Sequence, residues 1–357
     1  MRDILADLIR WREDGKSIAL AMVVETWGSS PRKAGSKMGL TLDAKITGSV
    51  SGGCVENAVV EAGVEVIKSK LPQLLHFGVS DEAAWEVGLA CGGSIDIFVK
   101  LIDDTIFESV NSILTNDKEA VWATVIRGEN TILGHEMVLD DNGKVTGSIG
   151  NEWDEKVFSI MEDSLKQRSS RRVRLDESTE IFVKMIMPPL TLVIVGGAHI
   201  SIALVSLAKT LGYRTIVIDP RRVWGNEERF PNVDTLIQSW IPDAFKQIEI
   251  TSSTAVATLT HDPKLDDPAL KIALNSPAFY VGALGSKTTN AKRHERLLKD
   301  GMTESQLSRL HAPIGLKIGA QTPEEIALAI MAEVVDAHRR QNQLSVKNEA
   351  DLYPIRG

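Results

Sequence analysis

The chain has 357 residues, 43% of them hydrophobic and 25% charged, with a formal net charge of −8 at pH 7 and two cysteines. This length gives two or three domains with sizeable cores, the acidic balance excludes a general nucleic-acid footprint, and two cysteines exclude a disulfide framework and fit a reducing cytosol. No stretch reaches the roughly 18 apolar residues that a membrane span needs, so no membrane partner is expected.

Met1 to Trp11 places acids within every apolar run. It reads as an amphipathic helix without the apolar core of a signal peptide, and a cytoplasmic location is expected. Beyond it the first half repeats itself. Ala21-Met22-Val23-Val24 returns as Ala123-Thr124-Val125-Ile126, and Lys45 to Val50 returns as Lys144 to Ile149. Ile95 to Ile102 returns as Thr179 to Ile186, in the same order and at roughly the same spacing. Two related β-rich units, about 1–102 and 119–187, therefore build one α+β domain over 1–187.

The first copy alone carries a basic loop from Trp27 to Met38, with Gly28, Ser29, Ser30, Arg32, Lys33 and Lys37, and both cysteines. Positive charge among small residues suits a phosphorylated small molecule. Cys54 follows Gly52-Gly53 and Cys91 precedes Gly92-Gly93. Glycine beside a thiol leaves it accessible and lets backbone N–H groups approach a ligand. The spacing is not that of a zinc site, so no metal site is assigned and the thiols are read as chemically used. The second copy has Gly128-Glu129-Asn130-Thr131 and Gly150-Asn151-Glu152 in those places and reads as scaffold.

Met187-Pro188-Pro189 ends the first domain, since consecutive prolines cannot donate to a sheet. From 188 to 342 short apolar runs alternate with helical patterns: strands at Leu192–Val195, Thr215–Asp219, Ala255–Thr260 and Phe279–Val281, and a helix at Ile200–Leu211. That alternation predicts a Rossmann-like doubly wound parallel sheet. Gly196, Gly197 and His199 lie at its first strand-to-helix turn, and Asp219 stands where an acid accepts from a ribose. Ala198 and Ser201 replace the second and third fingerprint glycines, so NAD(P) stays an open possibility. Gly285, Ser286 and Lys287 open a basic helix suited to an anion. His261, beside Asp262, is an acid–base candidate at the sheet's carboxyl edge. Thr322-Pro323-Glu324-Glu325 starts a closing helix through about Arg340, and 343–357 reads as a polar tail.

At Gly28 to Arg32, Gly35 to Met38, Gly52 to Glu56, Cys91-Gly92-Gly93, Gly196 to Ile200, Thr260 to Leu270, Tyr280 to Lys287, Pro313 to Leu316 and Thr322 to Ala327, the chain resembles the XdhC/CoxI family of molybdenum hydroxylase accessory proteins. It departs from the family's usual Gly-Ala-Gly-His at 196–199. The resemblance implies that molybdenum cofactor (molybdopterin) is bound as cargo, sulfurated with a cysteine desulfurase and inserted into an apo-hydroxylase such as xanthine dehydrogenase. The chain is then a cofactor chaperone rather than a stand-alone enzyme, and a homo-oligomer is expected. Cys54, Cys91 and His261 are the candidates for chemistry. The alternative is an NAD(P)-dependent oxidoreductase using the second domain, with His261 as acid. The chain is too short, and has too few cysteines for iron–sulfur clusters, to be the hydroxylase itself.

Overall fold

The computed structural model describes residues 1–28, 32–78 and 93–350. It divides into two compact units, Met1–Pro188 and Pro189–Gly357.

In the first unit the elements run α1 (Leu5–Glu13), β1 (Ile18–Trp27), β2 (Lys37–Thr41), β3 (Ile46–Gly48), α2 (Glu56–Ser69), β4 (Gln73–Phe77) and β5 (Ser94–Leu101). The same succession follows as α3 (Asp104–Thr115), β6 (Ala120–Arg127), β7 (Glu136–Asp140), β8 (Val145–Ser148), α4 (Asp154–Gln167), β9 (Arg171–Arg174) and β10 (Glu180–Ile186). Each run folds into a five-stranded antiparallel sheet, ordered β3-β2-β1-β5-β4 and β8-β7-β6-β10-β9. The identical order is the internal duplication read from the repeated strands.

Strand β1 is apolar at consecutive positions because both its faces are covered. Ala19, Ala21 and Val23 pack with Val59 and Val66 of α2. Met22 and Val24 point the other way and join Phe98, Ile126 and Phe182, so the two sheets share one interior. A one-residue slip of β1 would exchange those faces, which fixes its register. In the second copy, Val121, Ala123 and Val125 pack with Val157 and Met161 of α4 in the same way.

The second unit runs β11 (Thr191–Val195), α5 (His199–Thr210), β12 (Arg214–Ile218), β13 (Thr235–Ile237), α6 (Ile241–Phe245), β14 (Thr254–Thr258), α7 (Pro263–Leu274), β15 (Tyr280–Ala283), α8 (Lys287–Lys299), α9 (Glu304–Leu307), β16 (Leu310–His311) and α10 (Pro323–Ala350). All pairings are parallel and the order is β13-β12-β11-β14-β15-β16, a doubly wound Rossmann-type sheet. Helices α6, α7 and α8 cover one face, and α5 and α10 the other.

Helix α10 starts on the expected cap: Thr322 Oγ1 accepts from Glu325 N–H at 3.3 Å, and Glu325 accepts from Thr322 N–H at 3.1 Å. It does not stop near Arg340. It continues through part of the segment read as a polar tail, to Ala350. The reason is local: the chain carries neither Gly nor Pro between 341 and 350.

Candidate functional site

The loop after β3 is built around one carboxylate. Glu56, the first residue of α2, accepts backbone N–H groups from Val50 (3.3 Å), Ser51 (2.9 Å), Gly52 (3.0 Å) and Gly53 (2.8 Å), and hydroxyls from Ser49 (2.7 Å) and Ser51. Ser51 Oγ in turn accepts from the N–H groups of Cys54 and Val55, each at 3.0 Å. Burial alone would raise the Glu56 pKa, but the donors from Ser51, Ser49 and Gly53 outweigh it and hold it at about 2. The Gly52 and Gly53 amides, expected to face a ligand, are therefore committed to the protein's own carboxylate. They fix the loop that presents Cys54.

Cys54 is a free, half-buried thiol resting against the apolar layer between its sheet and α2. Gly93 is buried just before β5. Cys91 and Gly92 lie outside the described residues, and with them the expected meeting of the two thiols. Among the described residues no group of three or more His, Cys, Asp or Glu side chains is placed to hold a metal ion. In the second copy, Asp154 does the work of Glu56, accepting from Ser148 Oγ (2.7 Å), Ile149 N–H (2.8 Å) and Gly150 N–H (3.2 Å). Sequence reasoning compared the glycines of these loops and passed over the acids.

The basic loop divides in two. Trp27 is 72% exposed, Gly28 follows it, and Arg32 and Lys33 are exposed; Ser29 and Ser30 lie outside the described residues. Lys37 is different. It opens β2 and is 3% exposed, with Nζ 4.8 Å from the centre of the Trp122 ring and 3.4 Å from the Gly35 carbonyl it donates to. Burial, then the nearby Lys184 charge, draws its pKa down to about 7. Beside it Lys100 and Glu136 form a buried ion pair, and Glu136 also accepts from Trp122 Nε1 (3.0 Å) and Thr124 Oγ1 (3.3 Å). Burial pushes Glu136 up even so.

In the second unit three loops gather at the carboxyl ends of β11, β14 and β15, where the strand order reverses. Gly196 follows β11, and a Cβ there would lie 2.6 Å from Thr260 Cγ2. Thr260 Oγ1 donates to Asp266 at 2.7 Å, and Asp266 is held by Arg293 at 3.1 Å. Arg293 also donates to the Leu284 carbonyl at 3.1 Å and bonds Asn290, which holds the Gly285 carbonyl at 2.9 Å. Ser286 caps α8 by accepting Thr289 N–H at 3.1 Å. Lys287 and His199 are exposed, each on the first turn of its helix. His261 is exposed and takes a left-handed φ of +63°, uncommon for a residue with a side chain. Sequence reasoning missed the pairing of Asp266 with Arg293, which ties the His261 loop to the Gly285 loop.

Asp219 is fully buried and turned inward. Its carboxylate accepts from Gly197 N–H (2.8 Å), Arg221 N–H (2.9 Å), Arg221 Nε (2.9 Å) and Arg221 Nη2 (2.8 Å). Burial would raise its pKa, but Arg221 and the Gly197 amide outweigh it and lower it. A Cβ on Gly197 would strike the Trp224 carbonyl. The acid expected to take a ribose is thus sealed by its own neighbours.

A family model described as the XdhC Rossmann domain matches residues 192–334, and the model of the XdhC and CoxI family matches residues 11–78. A probable xanthine dehydrogenase subunit of Bacillus subtilis (strain 168) is 29% identical over 338 residues, spanning 92% of this chain and 95% of that protein. The molybdenum cofactor insertion chaperone PaoD of Escherichia coli (strain K12) is 26% identical over 343 residues, 96% of this chain and 90% of that one. A crystal structure of a xanthine dehydrogenase from Bacillus halodurans superimposes with a TM-score of 0.75 at 25% identity, covering 94% of this chain and 96% of that one.

Proposed function

Because the chain belongs to the XdhC and CoxI family, we propose that it is an accessory protein in molybdenum cofactor maturation for a hydroxylase of the xanthine dehydrogenase type. The observation that carries this reading is the match along nearly the whole chain to a cofactor insertion chaperone. In this reading molybdenum cofactor is cargo, sulfurated with sulfur from a cysteine desulfurase and then delivered to the apo-hydroxylase, and the working form is a homo-oligomer. Cys54 is the soft donor for the metal. The Glu56 nest supports that role by fixing the loop that carries the thiol. Exposed Arg32 and Lys33 draw in the pterin phosphate.

The oxidoreductase alternative needs a ribose acceptor at the first βα turn. Asp219 already carries four protein hydrogen bonds, which argues against it. The test is reconstitution: apo-hydroxylase is incubated with free cofactor, with and without this protein. Faster or fuller recovery of hydroxylase activity supports the reading. Equal recovery, together with tight NAD(P)H binding and hydride transfer by this protein alone, supports the alternative.

A further inference from the structure

We propose that Lys37 and Lys184 form an oxyanion subsite at the place where the first copy carries a lysine and the second a carboxylate. In the second copy Glu136 opens β7, opposite Thr124, and pairs with Lys100 of β5. In the first copy Lys37 opens β2 at the matching place, opposite Met22, and the repeat carries Lys100 onto Lys184 of β10. The flanking glycines follow the same relation. Gly48 (φ +78°) and Gly147 (φ +86°) are both left-handed, and a Cβ would meet the Lys37 carbonyl and Ile4 at one, the Glu136 carbonyl and Ile106 at the other. One position holds a closed Glu–Lys pair; its mate holds two lysines.

The two amines meet at Gly35. Lys37 Nζ donates to its carbonyl, and Lys184 Nζ lies 2.5 Å from where a Cβ on Gly35 would stand. The charges facing Lys37 are Lys184, Glu136, Asp3 and the Met1 α-ammonium, which also faces Lys184. Glu136 is spent on Lys100, and Asp3 bonds the Met1 amine at 2.8 Å. Among the described residues neither Lys37 nor Lys184 is in an ion pair. Like charges out of water without a counter-ion are costly, and a small anion between them removes that cost. Each ammonium offers up to three N–H donors, which suits an oxyanion of the phosphate class. Lys184 is only partly buried and gives the site its access. The subsite rests on the accessory-protein reading only for the source of its anion, either the pterin phosphate of the cargo or free phosphate.

The test is thermal unfolding of the full chain against inorganic phosphate, at ionic strength held constant with chloride. Wild type should gain stability saturably. Lys37→Glu, which restores the Glu–Lys pairing of the mate position, should fold and lose the saturable gain. Lys184→Met should weaken the phosphate affinity by about tenfold or more. A wild-type response that is non-saturable, or is kept unchanged in both variants, overturns the subsite. A parallel measurement of retained pterin separates the sources: retention lost in Lys184→Met assigns the anion to the cargo, and retention kept with the phosphate response lost assigns it to free phosphate. Wild type that carries no pterin overturns the accessory reading instead, and the phosphate titration then judges the subsite alone.

Discussion

Lys37 and Glu136 stand at the same point of two repeated sheets, each the first residue of its second strand, one an amine and the other a carboxylate. The exchange changes how the domain answers to pH. Lys37 is held near 7 in the folded chain against an ordinary 10.5. Between those values the unfolded chain binds a proton that the folded chain does not, so this group's contribution to stability rises with pH across that window. In buffer free of phosphate and sulfate, wild type should gain on Lys37→Met from pH 7 towards pH 10, by at most about 1.4 kcal/mol per unit. Parallel stability curves for the two proteins would remove Lys37 as the cause.

Gly35 makes room for Lys184 and holds φ at +90°. Gly35→Ala adds a methyl group where the amine sits and strains the backbone, at a cost of at least about 1 kcal/mol. Denaturant unfolding should show it, and Gly143→Ala is the control, since that glycine is also left-handed (φ +80°) but has nothing within 4 Å of its Cβ position. Equal losses in the two variants would place the whole cost in the backbone and none in Lys184.

Glu56 gathers the loop that carries Cys54. Glu56→Ala should cost about 1 kcal/mol, because the part-buried N–H groups of Val50 and Ser51 lose their acceptor. It should also speed amide exchange at Gly52 and Gly53 while α4 stays protected. The acid limb has a definite sign. The folded pKa lies below the ordinary 4.5, so the stability Glu56 contributes is complete above that value and is lost as pH falls towards about 2. An unchanged acid limb in Glu56→Gln would contradict the assignment.

Arg293 is 2% exposed and Asp266 is fully buried. Arg293→Met leaves the buried carboxylate without its charge partner, and a loss of about 3–5 kcal/mol is expected in the second unit. Asp266→Asn with Arg293→Met should recover much of it. No recovery in the double variant would mean that Arg293 acts through the Leu284 carbonyl and Asn290 rather than through the charge pair.

Much of the fold was legible because strand repeats survive as sequence. The Ile-Phe-Val-Lys of β5 returns in β10, and the Leu192 and Thr215 runs mark parallel strands. The short strands β13 and β16 carry too few residues for an alternating pattern. Lys37 reads as a loop cation because Arg32, Lys33 and small residues precede it in sequence, whereas in the fold it opens β2 beside Trp122 from the other copy. The Gly52-Gly53 amides and Asp219 are engaged by the protein's own groups for one shared reason. Glu56 and Arg221 are close in sequence, and whether such neighbours turn back on the loop is decided by local geometry that residue type alone does not disclose.

If molybdenum cofactor is the cargo and Cys54 helps to keep it, both should show in the purified protein. The direct measurement is molybdopterin and molybdenum per monomer in anaerobically purified full-length protein, wild type beside Cys54→Ala. Near-stoichiometric pterin is expected in wild type, with a clear reduction in the variant at unchanged thermal stability, since Cys54→Ala removes only a half-buried thiol. Wild type free of pterin would contradict the cargo assignment, and equal pterin in both proteins would reduce Cys54 to a packing residue.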